Sequence, residues 1–574
     1  MSHLMSLSRS LGLLLAAVLA LGGCASEPAQ PVEINLIALN DLHGYLQASP
    51  FSYVTADGES VTLKAGGVSA ISGLLTELRE RDPHLLLVSA GDMIGGSPPM
   101  SAMWADEPTL EALNLMGMKF SVVGNHELDH GKAELLRQVQ GGCDSSRPDK
   151  ACQFQADYRG TRFPYLAANL QDTDSGKLLF APYHIEEVRG VKIGFVGALL
   201  ADVGSVVGVD GMRGLRASDE AEAINAQLPE LRRQGVDVVV AVVHQGGVTR
   251  EAFDKQDCSE LEGDVVDVAK RLDPSIRVLI TGHTHQGYLC KIGGMLVTQG
   301  SSFGRLLTHL TLKVDPASGE LLDVRAENLV VDPQRYTRAA PEVIALQRSV
   351  EERSQALLER PVARLGVSRI STAINAAGES PMGSLIADAQ LAATRALGAQ
   401  VAFMNRGGIR AGLTLEPGQS MVNFGQVASV QPFNNGLTVL SLTGAQLREL
   451  LEQQWKGAGL DGFNPLQPSA SLAYSWDPAR PLGQRVVVQS LRVDGQPVQP
   501  ERTYRVTVNS FMADGGDNFS ELTRATERLD TGLNDLDALM AYLKARDLAG
   551  DPVGRSEPDG RITRLDQGLA GGAQ

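Results

Sequence analysis

The run Phe120-Ser121-Val122-Val123-Gly124-Asn125-His126-Glu127-Leu128-Asp129-His130-Gly131 decides how this chain is read. A mostly apolar stretch ends in a glycine and then in side chains that bind cations or move protons. The same pattern recurs on both sides. Ile34 to Leu39 leads into Asn40-Asp41-Leu42-His43, and Leu85 to Val88 leads towards Gly91-Asp92. Val238 to Val243 leads into His244-Gln245-Gly246, and Ile276 to Ile280 into Gly282-His283-Thr284-His285. Short apolar runs between turn signals read as buried strands. All five clusters therefore sit at strand carboxyl ends, the edge where sites gather in open α/β sheets. One strand-end aspartate is ordinarily a turn or cap, and one histidine a satisfied core or surface residue; five such clusters in series are hard to ascribe to chance.

Oxygen and imidazole ligands with no thiolate suit a pair of divalent ions of the Mn, Zn, Co, Fe or Mg type. Two such ions about 3.5–4 Å apart activate a shared water for attack and clamp phosphoryl oxygens. Asp92, alone in its cluster, is the natural bridging carboxylate. Asp41 and His43 can share one ion, Asn125 offers a carbonyl oxygen, and His244, His283 and His285 supply imidazoles. His126 and Asp129 read separately. On a helical turn a spacing of three puts both on one face, where the carboxylate orients the imidazole and favours its protonated form. His126 is then the candidate general acid.

The chain has 574 residues, so more than one domain is expected. It is 43% hydrophobic and 21% charged, with a formal net charge of −16. That balance argues against an electrostatic binder of nucleic acid polymers, which needs a basic face. An anionic substrate must instead be drawn by a local positive centre, which divalent ions supply.

Arg9, the apolar run Leu11 to Leu21 and Leu21-Gly22-Gly23-Cys24 form a targeting segment, too short to span a membrane. The pattern resembles a bacterial lipobox, with 1–23 as signal peptide and Cys24 as the lipidated residue. An ordinary signal peptide is the alternative. Ala25 after the cysteine favours, by resemblance, the outer membrane, facing the periplasm or the cell surface. Four other cysteines suggest two disulfides in an exported chain. Proximity favours Cys143–Cys152, which leaves Cys258–Cys290, although other pairings stay open.

Residues 24–32 read as a tether, and 33–335 as a layered α/β domain with helices over Val68 to Glu80, Ala217 to Gln234 and Asp264 to Leu272. Pro341 to Leu358, within 336–359, reads as a connecting helix. A second α/β domain spans 360–565. Its helices are expected at Gly383 to Leu397, Ala445 to Trp455 and Asp535 to Leu548. Its strands are expected at Gln400 to Met404, Thr438 to Leu442, Arg485 to Val493 and Thr503 to Val508. Residues 566–574 read as a disordered tail.

In order and content the five clusters resemble the D-x-H, G-D, G-N-H-[DE], H and G-H-x-H blocks of calcineurin-like metallophosphoesterases, and within them the two-domain 5′-nucleotidase family. The resemblance implies an amino-terminal α/β/β/α sandwich and a carboxyl-terminal substrate-binding domain that rotates over it, with the 341–358 connector in the hinge region. Asn405-Arg406-Gly407-Gly408-Ile409-Arg410, Gln431-Pro432-Phe433-Asn434-Asn435 and Asn509 to Phe519 are similar to its NGGIR, PF-x-N and N-x-F-x(3)-GGD blocks. By that match Phe433 and Phe511 clamp a nucleobase, Asp517 binds ribose hydroxyls, and Asn405 and Arg410 contact base or phosphate.

The chain departs from the family at two places. Several members carry Gln or Asn at the position of His285. Many have two arginines four apart before Glu379-Ser380-Pro381-Met382-Gly383, where only Arg369 stands here; phosphate anchoring would rest on Arg369 and Arg410. The expected substrate is a nucleoside 5′-monophosphate. The alternatives are a 2′,3′-cyclic phosphodiesterase with 3′-nucleotidase activity, a UDP-sugar diphosphatase, a sulfur-substrate hydrolase, or a non-catalytic surface lipoprotein. Oligomeric state is not legible.

Overall fold

The computed structural model describes residues 30–456 and 462–565. The signal peptide, Cys24 and the 566–574 tail lie outside the described residues. No described helix is long and apolar enough to cross a membrane.

The first domain stacks two six-stranded sheets. One runs Glu320–Val330, Leu306–Asp315, Val32–Leu39, Leu86–Ser89, Met118–Val122, Tyr165–Leu166. The other runs Gly287–Ile292, Met295–Gly300, Val278–Ile280, Val238–His244, Val191–Leu199, Tyr183–Val188. Ile34, Leu36, Val88, Phe120 and Val122 from the first sheet meet Phe195, Val240, Val242 and Ile280 from the second in one dry layer. The helices Val68–Arg81 and Glu107–Met116 carry core residues on the outer side of the first sheet. Glu220–Asn225, Leu228–Arg233 and Asp264–Arg271 do so on the second. The result is the α/β/β/α sandwich. Parallel register, Leu39 beside Ser89 and Ala241 beside Leu279, brings the strand carboxyl ends to one edge. Disulfides join Cys143 to Cys152 and Cys258 to Cys290.

The connecting helix spans Pro341–Leu358 and belongs to the first domain's core, where Val343 and Val350 are buried. Trp104 Nε1 donates to Ser354 Oγ at 3.0 Å. Arg353 donates to the carbonyls of Phe154 and Gln153 at 2.7 Å each and lies over the Trp104 ring.

The second domain is built on a five-stranded sheet ordered Gln467–Pro468, Val401–Met404, Thr503–Asn509, Gly436–Thr443, Arg528–Asn534. Leu437 pairs with Asn509, which sets the 431–435 and 510–519 segments side by side. The parallel pair Val401 and Val506 brings the 405–410 loop to the same edge.

Two sequence expectations change. Ala217 to Gln234 is two helices with a break at Ala226-Gln227, because Pro229 enters at the start of the second, where a missing N–H is tolerated. Arg485 to Val493 is not one strand: Val488–Ser490 is a 3-10 turn and only Arg492–Val493 pairs. There Ser490 Oγ donates to the Val487 carbonyl at 2.6 Å and accepts from Ser475 N at 2.7 Å, and that local pairing overrides the β-branched run.

Candidate metal centre and substrate cavity

Backbone bonds stitch the ligand loops together. Asp41 N donates to Gly91 O at 3.0 Å and His43 N to Asp92 O at 2.9 Å. Glu127 turns inward and accepts from the N–H groups of Asp92, Met93 and Gly124 at 2.9, 2.8 and 2.6 Å. Asn40 Nδ2 donates to Asp41 Oδ2 at 2.7 Å and to the Ser301 carbonyl at 2.5 Å, fixing the carboxylate's angle. Five proposed ligands have left-handed backbone: Asp41 (φ 49°), His43 (46°), Asp92 (54°), His283 (72°) and His285 (58°). Each such non-glycine costs on the order of 1–3 kcal/mol and persists only where its surroundings dictate it.

The donor atoms converge in overlapping groups: Asp41, His43 and His285; Asp92, His244 and His283; and His43, Asp92 and His126, each within 4.8 Å. Asp92 Oδ2 lies 3.6 Å from His43 Nε2 and 3.1 Å from His244 Nε2, so one carboxylate faces both of the first two groups. Asn125 Oδ1 lies 3.0 Å from His244 Nε2 and 2.9 Å from His283 Nδ1.

The donor set fits divalent cations. The Gly95 and Ala90 carbonyls each stand 2.8 Å from Nδ1 of His43 and His244 and accept from it, so Nε2 is the nitrogen of each ring that faces the centre. His43 Nε2 and His285 Nε2 face each other at 3.0 Å. Two lone pairs at that separation repel unless a proton or a cation lies between them.

Burial holds His43 and His285 well below the ordinary imidazole range, helped by the Arg410 charge. Burial, then the charge of His244, takes His283 down to about 3. All three are thus the neutral imidazoles a metal requires. Burial pushes Asp41 up to about 7. Burial also opposes ionisation of Asp92, yet the surrounding His244, His126 and His43 hold it well below the carboxylate range. His244 is raised to about 9: burial works against its charge, and Asp92 outweighs burial.

His126 begins a 3-10 turn, His126–Leu128, and its Nδ1 lies 3.0 Å from both oxygens of Asp129. Burial opposes protonation, but Asp129 and Asp92 prevail and raise its pKa. Its backbone N–H donates to Asp92 Oδ1 at 2.8 Å.

Facing this centre is a cavity of about 1230 Å³ between the two domains. Asp92, Asn125, His126, His283 and His285 line it from one side, and Asn405, Arg410, Phe433, Phe511 and Asp517 from the other. Gly516 lies under the Phe511 ring: a Cβ there would meet the ring edge at 2.4 Å, so only glycine lets the ring lie down. Phe433 stacks on the His126 imidazole with centroids 5.5 Å apart. Asn405 Nδ2 donates to Asp517 Oδ2 at 2.7 Å, and Asn509 Nδ2 to Asn405 Oδ1 at 2.9 Å. Burial raises the Asp517 carboxyl. The Arg410 Nε and Nη2 are buried without a hydrogen-bond partner among the described residues.

Arg369 lies elsewhere. It is exposed on the two-residue strand Arg369–Ile370 and does not line the cavity. The pleat sends Ile370 inward and Arg369 outward. Thr372, Ala373 and Ile374, just beyond it, do line the cavity. Several contributors were not singled out from sequence: Glu127, Asn40, Lys456 in the cavity wall, and Phe303. Phe303 stacks on Tyr45 at 4.0 Å and packs edge-on against His43 and His285. Glu127 and Asn40 had a signal, their places inside the G-N-H-E block and the Asn40-Asp41-Leu42-His43 cluster.

Residues 34–287 match the family model described as calcineurin-like phosphoesterase, and 361–524 match the 5′-nucleotidase carboxyl-terminal domain. This chain belongs to the 5′-nucleotidase family. As a member of that family it is a metal-dependent phosphoester hydrolase. It is similar to the 5′-nucleotidase of Vibrio cholerae, 24% identical over 95% of this chain and 97% of that protein. It is 29% identical to the endonuclease YhcR of Bacillus subtilis over 94% of this chain, but spans only 41% of that protein's length. Among solved structures, a 5′-nucleotidase precursor from Thermus thermophilus superposes with a TM-score of 0.75 at 26% identity, covering 93% of this chain and all of that one. This 5′-nucleotidase-family chain thus shares with that structure the two-domain arrangement that forms the cavity.

Proposed function

We propose that this enzyme releases phosphate from nucleoside 5′-monophosphates, using two divalent ions. The observation that carries the reading is the single cavity holding both the cation-binding clusters and the two phenylalanines, Phe433 and Phe511. A nucleobase presents two π faces, and stacking against aromatic rings contributes about 1–3 kcal/mol per base.

Asp41, His43 and His285 would hold one ion, and Asn125, His244 and His283 the other, with Asp92 between them. When bound, the ions supply an activated water and positive charge for the phosphoryl oxygens. The protein's own groups do the rest. The buried, unpartnered Arg410 nitrogens can take a phosphate oxygen. Asp129 holds the His126 imidazole with its Nδ1–H engaged, so Nε2–H can pass a proton to the departing 5′-oxygen. Asp517 and Asn405 present paired polar groups for ribose hydroxyls, and closure of the two domains excludes water. The relatives named 5′-nucleotidase support the substrate class.

The test is phosphate release from AMP, UDP-glucose and cyclic AMP isomers in parallel, by wild type, Asp92→Asn and His126→Ala. AMP should be the preferred substrate, and both variants should lose most activity. Near-wild-type turnover in both variants would refute the reading.

We propose further that the enzyme is a lipoprotein of the cell envelope, anchored through Cys24. Leu21-Gly22-Gly23-Cys24 supports this. Cys24→Ser should move the protein from the membrane to the soluble fraction.

A further inference from the structure

His43 and His244 each have Nδ1 bonded to a carbonyl, that of Gly95 and that of Ala90. Such a bond on the far side of the ring ordinarily fixes the orientation of a metal-binding histidine. His285 has none. Its Nε2 faces His43 Nε2 at 3.0 Å and Asp41 Oδ1 at 3.5 Å, and its Nδ1 has no hydrogen-bond partner among the described residues. The side chain is 26% exposed, so close packing on every side does not fix it either.

A phenyl ring stands where that bond would be. Phe303 meets His285 with centroids 5.3 Å apart at 75°, and His43 at 5.9 Å and 70°. Both are edge-to-face contacts at the separations such pairs favour. Among the described residues no phenylalanine, tyrosine or tryptophan packs in this way on His244 or His283, whose rings contact each other.

Phe303 is itself firmly set. Its backbone is left-handed, φ 62°, a region that bulky side chains avoid, and Ser301 is left-handed as well at 55°. Phe303 N donates to the Asp41 carbonyl at 2.6 Å, and Ser301 N to the Gln286 carbonyl at 2.8 Å. A Cβ at Gly66 would lie 2.7 Å from the Phe303 carbonyl, so a glycine there lets the neighbouring chain close on this loop. Tyr45 stacks on the ring at 4.0 Å and 18°, and the Arg305 guanidinium lies 4.6 Å from its centroid. Arg305 donates to Ser302 Oγ at 2.8 Å and to the Ser302 carbonyl at 3.1 Å. Burial lowers its pKa to about 10, which leaves it charged at neutral pH and attracted to the ring face. Neither Phe303 nor Tyr45 lines the substrate cavity, so contact with substrate does not account for the strained backbone.

We propose that Phe303 is a positioning residue for one of the two ions: its ring, set by Tyr45 and Arg305, holds the His285 and His43 imidazoles in the orientation that binds the ion shared with Asp41. The inference rests on the two-ion reading above. It makes the ions unequal, because the one held by Asn125, His244 and His283 has no such wall behind its ligands.

The experiment follows uptake of Mn by the stripped full chain, by calorimetry and by electron paramagnetic resonance of the bound ions. His285→Ala and His283→Ala supply the signature of a lesion in each half of the centre. Phe303→Ala and Phe303→Leu, the second keeping apolar bulk without a flat ring, should each weaken one ion by about 10- to 100-fold and leave the other within about twofold. The resonance should change from that of an adjacent pair to that of an isolated ion, as in His285→Ala. A ring that only supports the fold would instead lower the Tm of the stripped protein and weaken both ions alike. Equal weakening of both ions, the signature of His283→Ala, or full affinity in Phe303→Leu would overturn the proposal. If wild type takes up a single ion, the two-ion reading falls; weaker binding of that ion in Phe303→Leu still upholds the positioning role, and unchanged binding removes it.

Discussion

His126 Nδ1 sits 3.0 Å from both carboxylate oxygens of Asp129, whose Oδ2 also accepts from Gly96 N at 3.0 Å. The carboxylate is thus fixed by the backbone before it fixes the imidazole, and it raises the pKa of His126 against the effect of burial. Asp129→Asn should lower kcat by about 10²–10⁴-fold. It should also move the alkaline limb of the pH–rate profile to lower pH, because the acid form is then lost sooner as pH rises. An unchanged limb would remove His126 from the role of proton donor.

Phe433 and Phe511 should matter through binding. Alanine at either position should raise KM for AMP by roughly 5- to 100-fold, the equivalent of about 1–3 kcal/mol of stacking. Hydrolysis of glycerol phosphate, which has no base, should be unaffected. Equal losses on both substrates would mean that the rings only shape the cavity.

Glu127 does not line the cavity, yet three N–H groups depend on it. Glu127→Ala leaves those donors buried and unsatisfied, at about 1–3 kcal/mol each. Thermal melting should fall, and metal content measured by elemental analysis should drop below that of wild type. Retention of full metal content would show that the loops hold without it.

Chelation should abolish phosphate release, and Mn, Zn, Co or Mg should each be tested for its return. Titration of stripped protein should saturate near two ions per chain, with Tm rising as ion is added because only the folded state binds it. Saturation at one would leave Asp92 a terminal ligand rather than a bridge.

Asp535 gives a pH prediction away from the centre. It is 1% exposed at the start of the Asp535–Leu548 helix, and burial lifts its carboxyl to about 7, outweighing the hydrogen bond from Leu536 N. Its folded pKa lies above the unfolded value of about 3.9, so the folded state keeps a proton that the unfolded chain releases. Stability should therefore fall as pH climbs from about 4 to 7. Asp535→Asn should raise Tm by roughly 2–4 °C at pH 8 and change it little at pH 4. A gain of equal size at both pH values would exclude titration as the cause.

The first domain was legible because apolar strands and polar strand ends alternate within a few residues: Phe120 to Val123, then Asn125 and His126. The candidate ligands Asp41, Asp92 and His283 stood out by residue type, and the structure brings them into groups that could hold a metal ion. What supports them stood out less. Phe303 and Lys456 are ordinary in sequence, and Asn40, though it heads the first cluster, acquires its role only when loops hundreds of residues apart meet, as Asn40 meets Ser301. Arg369 illustrates the opposite failure. A charged residue near a recognisable block reads as an anchor, whereas the pleat of a two-residue strand turns it to solvent. Ala217 to Gln234 kept its helical periodicity across a break that a single proline, Pro229, makes.

The anchoring of Pro341–Leu358 by Trp104 and Arg353 also limits how the halves of the molecule can swing. A rod clamped at several points along its length cannot bend there, so any swing of the second domain would have to be taken up at Glu359 and Arg360, before the strand Pro361–Arg364 begins. At that joint Phe424 N donates to the Arg360 carbonyl at 2.8 Å, the Arg360 guanidinium lies 5.0 Å from the Phe424 ring centre, and Gly425 abuts Leu358. These residues form a small bearing on which the whole nucleotide-facing half would turn, and stiffening it should slow the catalytic cycle without touching the chemistry.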